Sequence, residues 1–241
     1  MSTLSVVVLD NERALAAAVA RALIERLSEP GTHHVVLTGG GVGTMVLAEC
    51  AARSTEVDWG SVHLWWGDER FLPEGDADRN ATGAQSALID HVPVPPDQVH
   101  AMPADVGQSA DEAAASYADE LARHSSSGFV PDFDVVLLGM GPEGHVASLF
   151  PGMPALHDAR STAAITDSPK PPPVRISLTL AALRSAREVW VVASGAVKAQ
   201  AAGDAVREEV NPDDVPAAGA RGREATIFWL DRDAASRVEG T

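Results

Sequence analysis

Along the chain, short unbroken apolar runs alternate with stretches whose apolar residues recur every fourth position. Leu4–Leu9, His34–Thr38, Ser61–Trp66, Val135–Leu138, Glu188–Ala193 and Ala225–Leu230 predict strands, and the runs without polar alternation suit strands buried on both faces. After the first of them, Leu15, Val19, Leu23 and Leu27 form a single helical stripe that Asp10 or Asn11 can cap and Pro30-Gly31 ends. Arg79–Val92 predicts a helix closed by Pro93, Pro95 and Pro96, and Asp111–His124 a second, rich in alanine and acid. Val174–Thr179 precedes a short helix, and Met153–Pro173 reads as a structured excursion at the rim of a site. Strands alternate with helices throughout, which predicts an α/β fold: a three-layer αβα arrangement with a mostly parallel, Rossmann-like sheet. Ser125-Ser126-Ser127-Gly128 is too short to separate domains, so residues 1–241 are expected to form a single α/β domain.

Composition narrows the partners. A formal net charge of −16 opposes binding to nucleic acid or to an anionic membrane, since both draw on a basic surface. No apolar run approaches the roughly 18–20 residues that span a bilayer. Cys50 is the single cysteine, so an intrachain disulfide is impossible, as suits a reducing compartment. The opening MSTLSVVVLDNER has no basic leader and turns acidic early, so the expected location is cytoplasmic.

Chemistry gathers where the predicted strands end. The His34–Thr38 run leads into Gly39, Gly40 and Gly41 and then a helix. Free N–H groups and the helix dipole there make an anion cradle, and the alternative is a tight turn with no ligand. It is not a Walker loop, because no Gly-Lys-Ser/Thr follows. Asp68, Glu69 and Arg70 follow Trp65 and Trp66; such triplets are commonly solvated, but a strand exit is where open α/β sheets place their sites. The Val135–Leu138 run ends in Gly139, Gly141 and Gly144 around Pro142, with His145 next, near the expected start of a short helix. Ser194-Gly195 opens a helix whose first turn carries Lys198. In a parallel sheet all four exits lie on one edge, so these residues can converge.

Lys198 would face the positive end of a helix dipole, a placement costing roughly a few tenths of a kcal/mol that a bound anion offsets. Its plain alternative is a lysine reaching solvent. Arg175 could supply the second half of a phosphate clamp through a two-pronged guanidinium, or be a surface arginine. Near a helix start His145 would stay neutral and able to take a proton; the alternative is a structural, hydrogen-bonded histidine. HxH, HExxH and paired Cys/His spacings are absent, so no metal is expected, and no Gly-x-Ser-x-Gly marks a serine hydrolase.

Gly139-Met140-Gly141-Pro142-Glu143-Gly144-His145-Val146-Ala147-Ser148-Leu149-Phe150-Pro151-Gly152 closely resembles the signature of 6-phosphogluconolactonases. So do Trp66-Gly67-Asp68-Glu69-Arg70 with Asn80, Arg175-Ile176-Ser177-Leu178-Thr179, and Ser194-Gly195 with Lys198. The resemblance runs in the family's order from about Val35 to Lys198. It implies hydrolysis of 6-phosphoglucono-1,5-lactone to 6-phosphogluconate, in the oxidative pentose phosphate pathway, with no cofactor or metal. It further implies His145 as the general base, Lys198 and Arg175 at the 6-phosphate with backbone donors from Gly39, Gly40 and Gly41, and Asp68 and Arg70 at the sugar end. The family's glycine loop continues with Ser or Thr and then Pro; here Gly41-Val42-Gly43-Thr44 stands there, with Thr44 as the candidate hydroxyl.

Two other functions share some of these features. Related glucosamine-6-phosphate deaminases are similar at Asp68 and His145 but carry a further acidic residue where this chain has Phe150. A sugar-phosphate sensor without catalysis would normally carry a DNA-binding module, and no basic helix-turn-helix precedes Leu4 or follows Leu230.

Overall fold

The valine-rich opening run forms β1 (Thr3–Leu9), and Asn11 caps α1 (Glu12–Leu27) by accepting the Ala14 N–H at 3.0 Å. The computed structural model describes residues 2–207 and 209–239, so Met1, Glu208, Gly240 and Thr241 of the expected 1–241 domain lie outside the described residues. β2 (His33–Leu37) and α2 (Gly41–Ala51) follow, then β3 (Val62–Trp66) and β4 (Asp68–Arg70). Next come α3 (Asn80–Ala87), α4 (Ala110–Arg123), β5 (Val135–Gly139), β6 (Thr162–Ile165) and β7 (Arg175–Leu178). The chain continues with α5 (Leu180–Leu183), β8 (Glu188–Ala193), α6 (Ala199–Ala205), α7 (Pro216–Gly219), β9 (Ala225–Asp231) and α8 (Arg232–Ala235).

Among the described residues the strands make two sheets. The larger has the order β1-β9-β8-β5-β2-β3 and is parallel throughout. Its central strands are buried on both faces, which explains the unbroken apolar runs: Val35, Val36, Val135, Val136, Val189 and Val191 have no exposed surface. From β2 the chain moves outward to β3, whereas from β5 it moves the other way to β8. The connections after β2 and β5 therefore diverge and leave a crevice at the carboxyl edge between them. Strands β8, β5, β2 and β3 are consecutive in the sheet, so the four chemically marked exits stand side by side.

Three expectations need correction. A second sheet, antiparallel with the order β4-β7-β6, takes in the polar Asp68–Arg70 and the Arg175–Leu178 segment. The helix expected over residues 79–92 is shorter: α3 ends at Ala87 and a 3₁₀ turn spans Ile89–His91. Val92 is already extended (φ −126°, ψ 147°), as a residue before proline prefers. No helix begins at His145; residues 140–149 form turns tied by bridges between Met140 and Val146 and between Val146 and Leu149.

Candidate active site

The crevice is a cavity of about 300 Å³. Gly39, Gly40, Gly41, Asp68, Arg70, His145, Arg175 and Lys198, all candidates from the sequence, line it together with Asn80 and Ser194. The sequence candidates are delivered by segments that follow strand ends or by the β4-β7 pair, and Asn80 by the start of α3. Thr44 does not line it. Its hydroxyl donates to the Gly40 carbonyl at 3.0 Å, inside the first turn of α2, and it borders a neighbouring cavity beyond the glycine loop.

Gly40 caps α2 with φ +83°, a conformation that favours glycine, and provides no side-chain hydrogen bond. The N–H of Thr44 is the first in this turn to bond back, to the Gly40 carbonyl at 2.9 Å. The preceding N–H groups of the turn are thus left at the cavity's edge, as an anion cradle requires. Gly39 must lack a side chain, because a Cβ there would stand 1.9 Å from Oδ1 of Asn80.

Asp68 is held from several directions. Ser148 Oγ donates to its Oδ2 at 2.6 Å, and Asn80 Nδ2 lies 3.2 Å from Oδ1 and donates to the Asp68 carbonyl at 2.8 Å. Arg175 Nη1 is 3.9 Å from Oδ2. The two-pronged anion contact expected of Arg175 is unavailable. Its Nε donates to the Pro172 carbonyl at 3.1 Å and its Nη2 to those of Lys170 and Pro171, leaving only Nη1, in ion-pair range of Asp68, without a hydrogen bond. Burial lowers its pKa, partly opposed by Asp68.

Glu69, beside Asp68, is buried completely and turned away from the cavity's lining. Its carboxyl accepts the N–H groups of Asn80 (2.6 Å), Ala81 (2.8 Å) and Arg70 (2.9 Å), with Arg79 Nε at 3.4 Å. It pins the start of α3 to β4 and so places Asn80 against Asp68.

His145 is held by the turns around it. Gly144, at φ +83°, gives its carbonyl to the Ala217 N–H at 2.9 Å, and Phe150 stacks on the imidazole with centroids 4.3 Å apart. Nδ1 stands 3.1 Å from Oε1 of Glu143, within ion-pair range but out of line for a hydrogen bond. Burial holds the imidazole pKa down at about 4, against the pull of Glu143 in the other direction. Burial, rather than the helix terminus expected from the sequence, keeps this ring neutral.

Lys198 ends a 3₁₀ turn, Ala196–Lys198, rather than lying inside an α-helix, and its Nζ donates to the Met140 carbonyl. Burial, with Lys170 nearby, lowers its pKa. The turn is anchored by Asp231, which accepts Ser194 Oγ at 2.6 Å and the Gly195 N–H at 3.0 Å.

Sequence reasoning did not single out Glu143, Lys170 or Ser148. Lys170 Nζ sits 3.0 Å from Glu143 Oε1, so the 153–173 excursion folds back onto the histidine turn. A lysine in a proline-rich segment carries no local signal of that contact.

A sequence model of glucosamine-6-phosphate isomerases/6-phosphogluconolactonase matches residues 10–229. The chain belongs to this family. It is similar to a 6-phosphogluconolactonase of Streptomyces coelicolor, 48% identical over 95% of this chain and 92% of that one. Similarity also extends to a 6-phosphogluconolactonase of Mycobacterium tuberculosis, 50% identical over 85% of this chain and 84% of that one. Among solved structures, a devB protein superposes with a TM-score of 0.88 at 26% identity, covering 98% of this chain and 100% of that one. Such agreement fits an α/β fold with a parallel six-stranded sheet. Among the described residues, no helix is long and apolar enough to cross a membrane.

Proposed function

We propose that the protein hydrolyses 6-phospho-D-glucono-1,5-lactone to 6-phosphogluconate, with residues 1–241 acting as one cytoplasmic sugar-phosphate hydrolase domain. The observation that carries the reading is a buried imidazole, its pKa held down at about 4, lining a cavity edged by cations and by the backbone of Gly39, Gly40 and Gly41. With Nδ1 and its proton toward Glu143, Nε2 keeps a lone pair. That nitrogen takes a proton from water as the oxygen attacks the lactone carbonyl, and returns it to the ring oxygen as the C–O bond breaks. The lactone carbonyl carbon needs no metal or cofactor for this step, and none enters it.

The substrate's phosphate carries charge into a protein of net charge −16, so local cations must offset the overall field. Lys198, Nη1 of Arg175 and the N–H groups at Gly39, Gly40 and Gly41 supply that attraction. Asp68, fixed by Ser148 and Asn80, orients the sugar with Arg70. Thr44, occupied with the Gly40 carbonyl, contributes to the loop's shape. The aldose–ketose chemistry of deaminases is disfavoured by Phe150, an apolar ring packed on His145 where those relatives carry an acid.

The deciding experiment is hydrolysis of freshly generated 6-phosphogluconolactone, with the spontaneous rate subtracted. Enzyme-dependent 6-phosphogluconate formation is expected; a rate equal to background, from folded protein, overturns the proposal.

A further inference from the structure

Among the described residues, a histidine cluster lies away from the crevice, toward the amino ends of β2 and β3. His34 and His63 are the second residues of β2 and β3 and are paired in register, so their rings share one sheet face. Those rings stack with centroids 4.7 Å apart. His100 enters from the segment beside β3, where its N–H donates to the Leu64 carbonyl at 2.8 Å. His124 arrives from the carboxyl end of α4. One nitrogen from each of His63, His100 and His124 lies within 4.8 Å of the others.

The arrangement is more than ring packing. Nδ1 of His63 and Nε2 of His100 are 2.9 Å apart. Two imidazole nitrogens sharing a metal at about 2.0–2.1 Å stand roughly 3.0–3.4 Å apart, so this pair needs little movement. On its far side His100 presents Nδ1 to Glu120 Oε1 at 2.9 Å. A carboxylate that accepts Nδ1–H fixes the tautomer in which Nε2 has the lone pair, the usual support for a metal-binding histidine. His124 Nε2 is 3.3 Å from the same Glu120 oxygen. His124 is exposed at the end of its helix, so its ring has room to swing inward, whereas His100 is buried and stacked on Trp65 with centroids 3.8 Å apart.

We propose that His63, His100 and His124, supported by Glu120, form a site for a divalent transition metal of the zinc class, remote from the lactone-binding crevice. Three imidazoles with water as the fourth ligand suit Zn²⁺, Co²⁺ or Ni²⁺ better than the oxygen-seeking Mg²⁺ or Ca²⁺. Binding requires the Nδ1 proton of His63 to move to Nε2 through water, so a neutral imidazole remains neutral and no net proton is released. The protein's net negative charge favours cation uptake. No local spacing betrays the site, because its ligands lie at positions 63, 100 and 124, on three separate elements.

The test uses the full chain, stripped with chelator and titrated with ZnCl₂ by calorimetry, and with CoCl₂ by visible absorption. One equivalent of Zn²⁺ per chain is expected, with Co²⁺ bands of low-coordinate histidine ligation and a rise in melting temperature. His124→Ala changes an exposed side chain and should fold; it is expected to weaken uptake at least about 10-fold, and Glu120→Gln by about 10–100-fold. His145→Asn, in the crevice, should bind Zn²⁺ as the wild type does. Absence of stoichiometric uptake, equal uptake by His124→Ala, or loss of uptake in folded His145→Asn would each overturn the assignment.

Discussion

Gly141 and His145 occupy one side-chain space: a Cβ on Gly141 would stand 1.9 Å from Nδ1 of the imidazole. The same pair is joined through the backbone, where the Gly141 N–H donates to the His145 carbonyl at 2.9 Å. Gly141 is not among the glycines with positive φ, so alanine is compatible with its backbone. The clash falls on the proposed base and, at 2.7 Å, on Oε2 of Glu143 beside it. Gly141→Ala is therefore expected to give a folded protein whose kcat approaches that of a base-deleted variant. Circular dichroism and steady-state lactonase kinetics would check this; wild-type kcat in Gly141→Ala would show that the ring relocates without cost.

General-base catalysis typically contributes about 10²–10⁴-fold, so His145→Asn should lower kcat by that factor with KM little changed. The pH profile is more specific. A histidine with its pKa held at about 4 is neutral, and thus able to accept a proton, throughout the range above that value. The wild-type rate should fall only as pH drops towards 4, not near 6.5, and the variant should lack that limb. An acid limb centred at the ordinary histidine value would mean that the buried state is not the catalytic one.

How far the sequence reveals this site depends on what each element buries. The central strands of the large sheet bury apolar residues on both faces, so the runs His34–Thr38, Ser61–Trp66, Val135–Leu138 and Glu188–Ala193 could be recognised and their exits compared. The second sheet left no such trace. β4 reads Asp-Glu-Arg, which resembles a solvated loop because its inward side chain, Glu69, finds its partners in backbone N–H groups from α3. Position 145 was legible as chemistry, but its environment was not. Glycine and proline density announces a turn, while burial under Phe150 and the approach of Lys170 to Glu143 depend on residues distant in sequence. The histidine cluster was invisible for the same reason.

Lys198 offers a test of how the phosphate is held. Losing one charge-assisted hydrogen bond costs about 1.5–3 kcal/mol, which corresponds to roughly 10–100-fold in affinity. Lys198→Ala should raise KM for the phosphorylated lactone by that order and narrow its advantage over plain gluconolactone. Unchanged preference between the two substrates would remove Lys198 from the phosphate site.

Glu69 separates scaffold from chemistry within the Asp68–Arg70 strand. Its carboxyl is buried, satisfies three backbone N–H groups and faces Arg79 at 3.4 Å. Burial raises its pKa, with those N–H groups and Arg79 pulling the other way. Alanine would leave the three donors without their acceptor and Arg79 without its countercharge, in a space too enclosed for water to replace the carboxyl freely. Breaking a buried pair by removing one partner costs about 3–5 kcal/mol, a large part of a typical domain's stability. Glu69→Ala should therefore shift the urea midpoint strongly downward, while Glu69→Gln, which keeps one acceptor oxygen, should lose less. The effect on catalysis should follow from Asn80, which is placed by Glu69 and in turn contacts Asp68. Any folded fraction of Glu69→Ala is expected to bind substrate less tightly, with the acid limb set by His145 unchanged. A Glu69→Ala protein as stable as the wild type would refute the scaffold role. A shifted acid limb would instead draw Glu69 into the proton-transfer machinery.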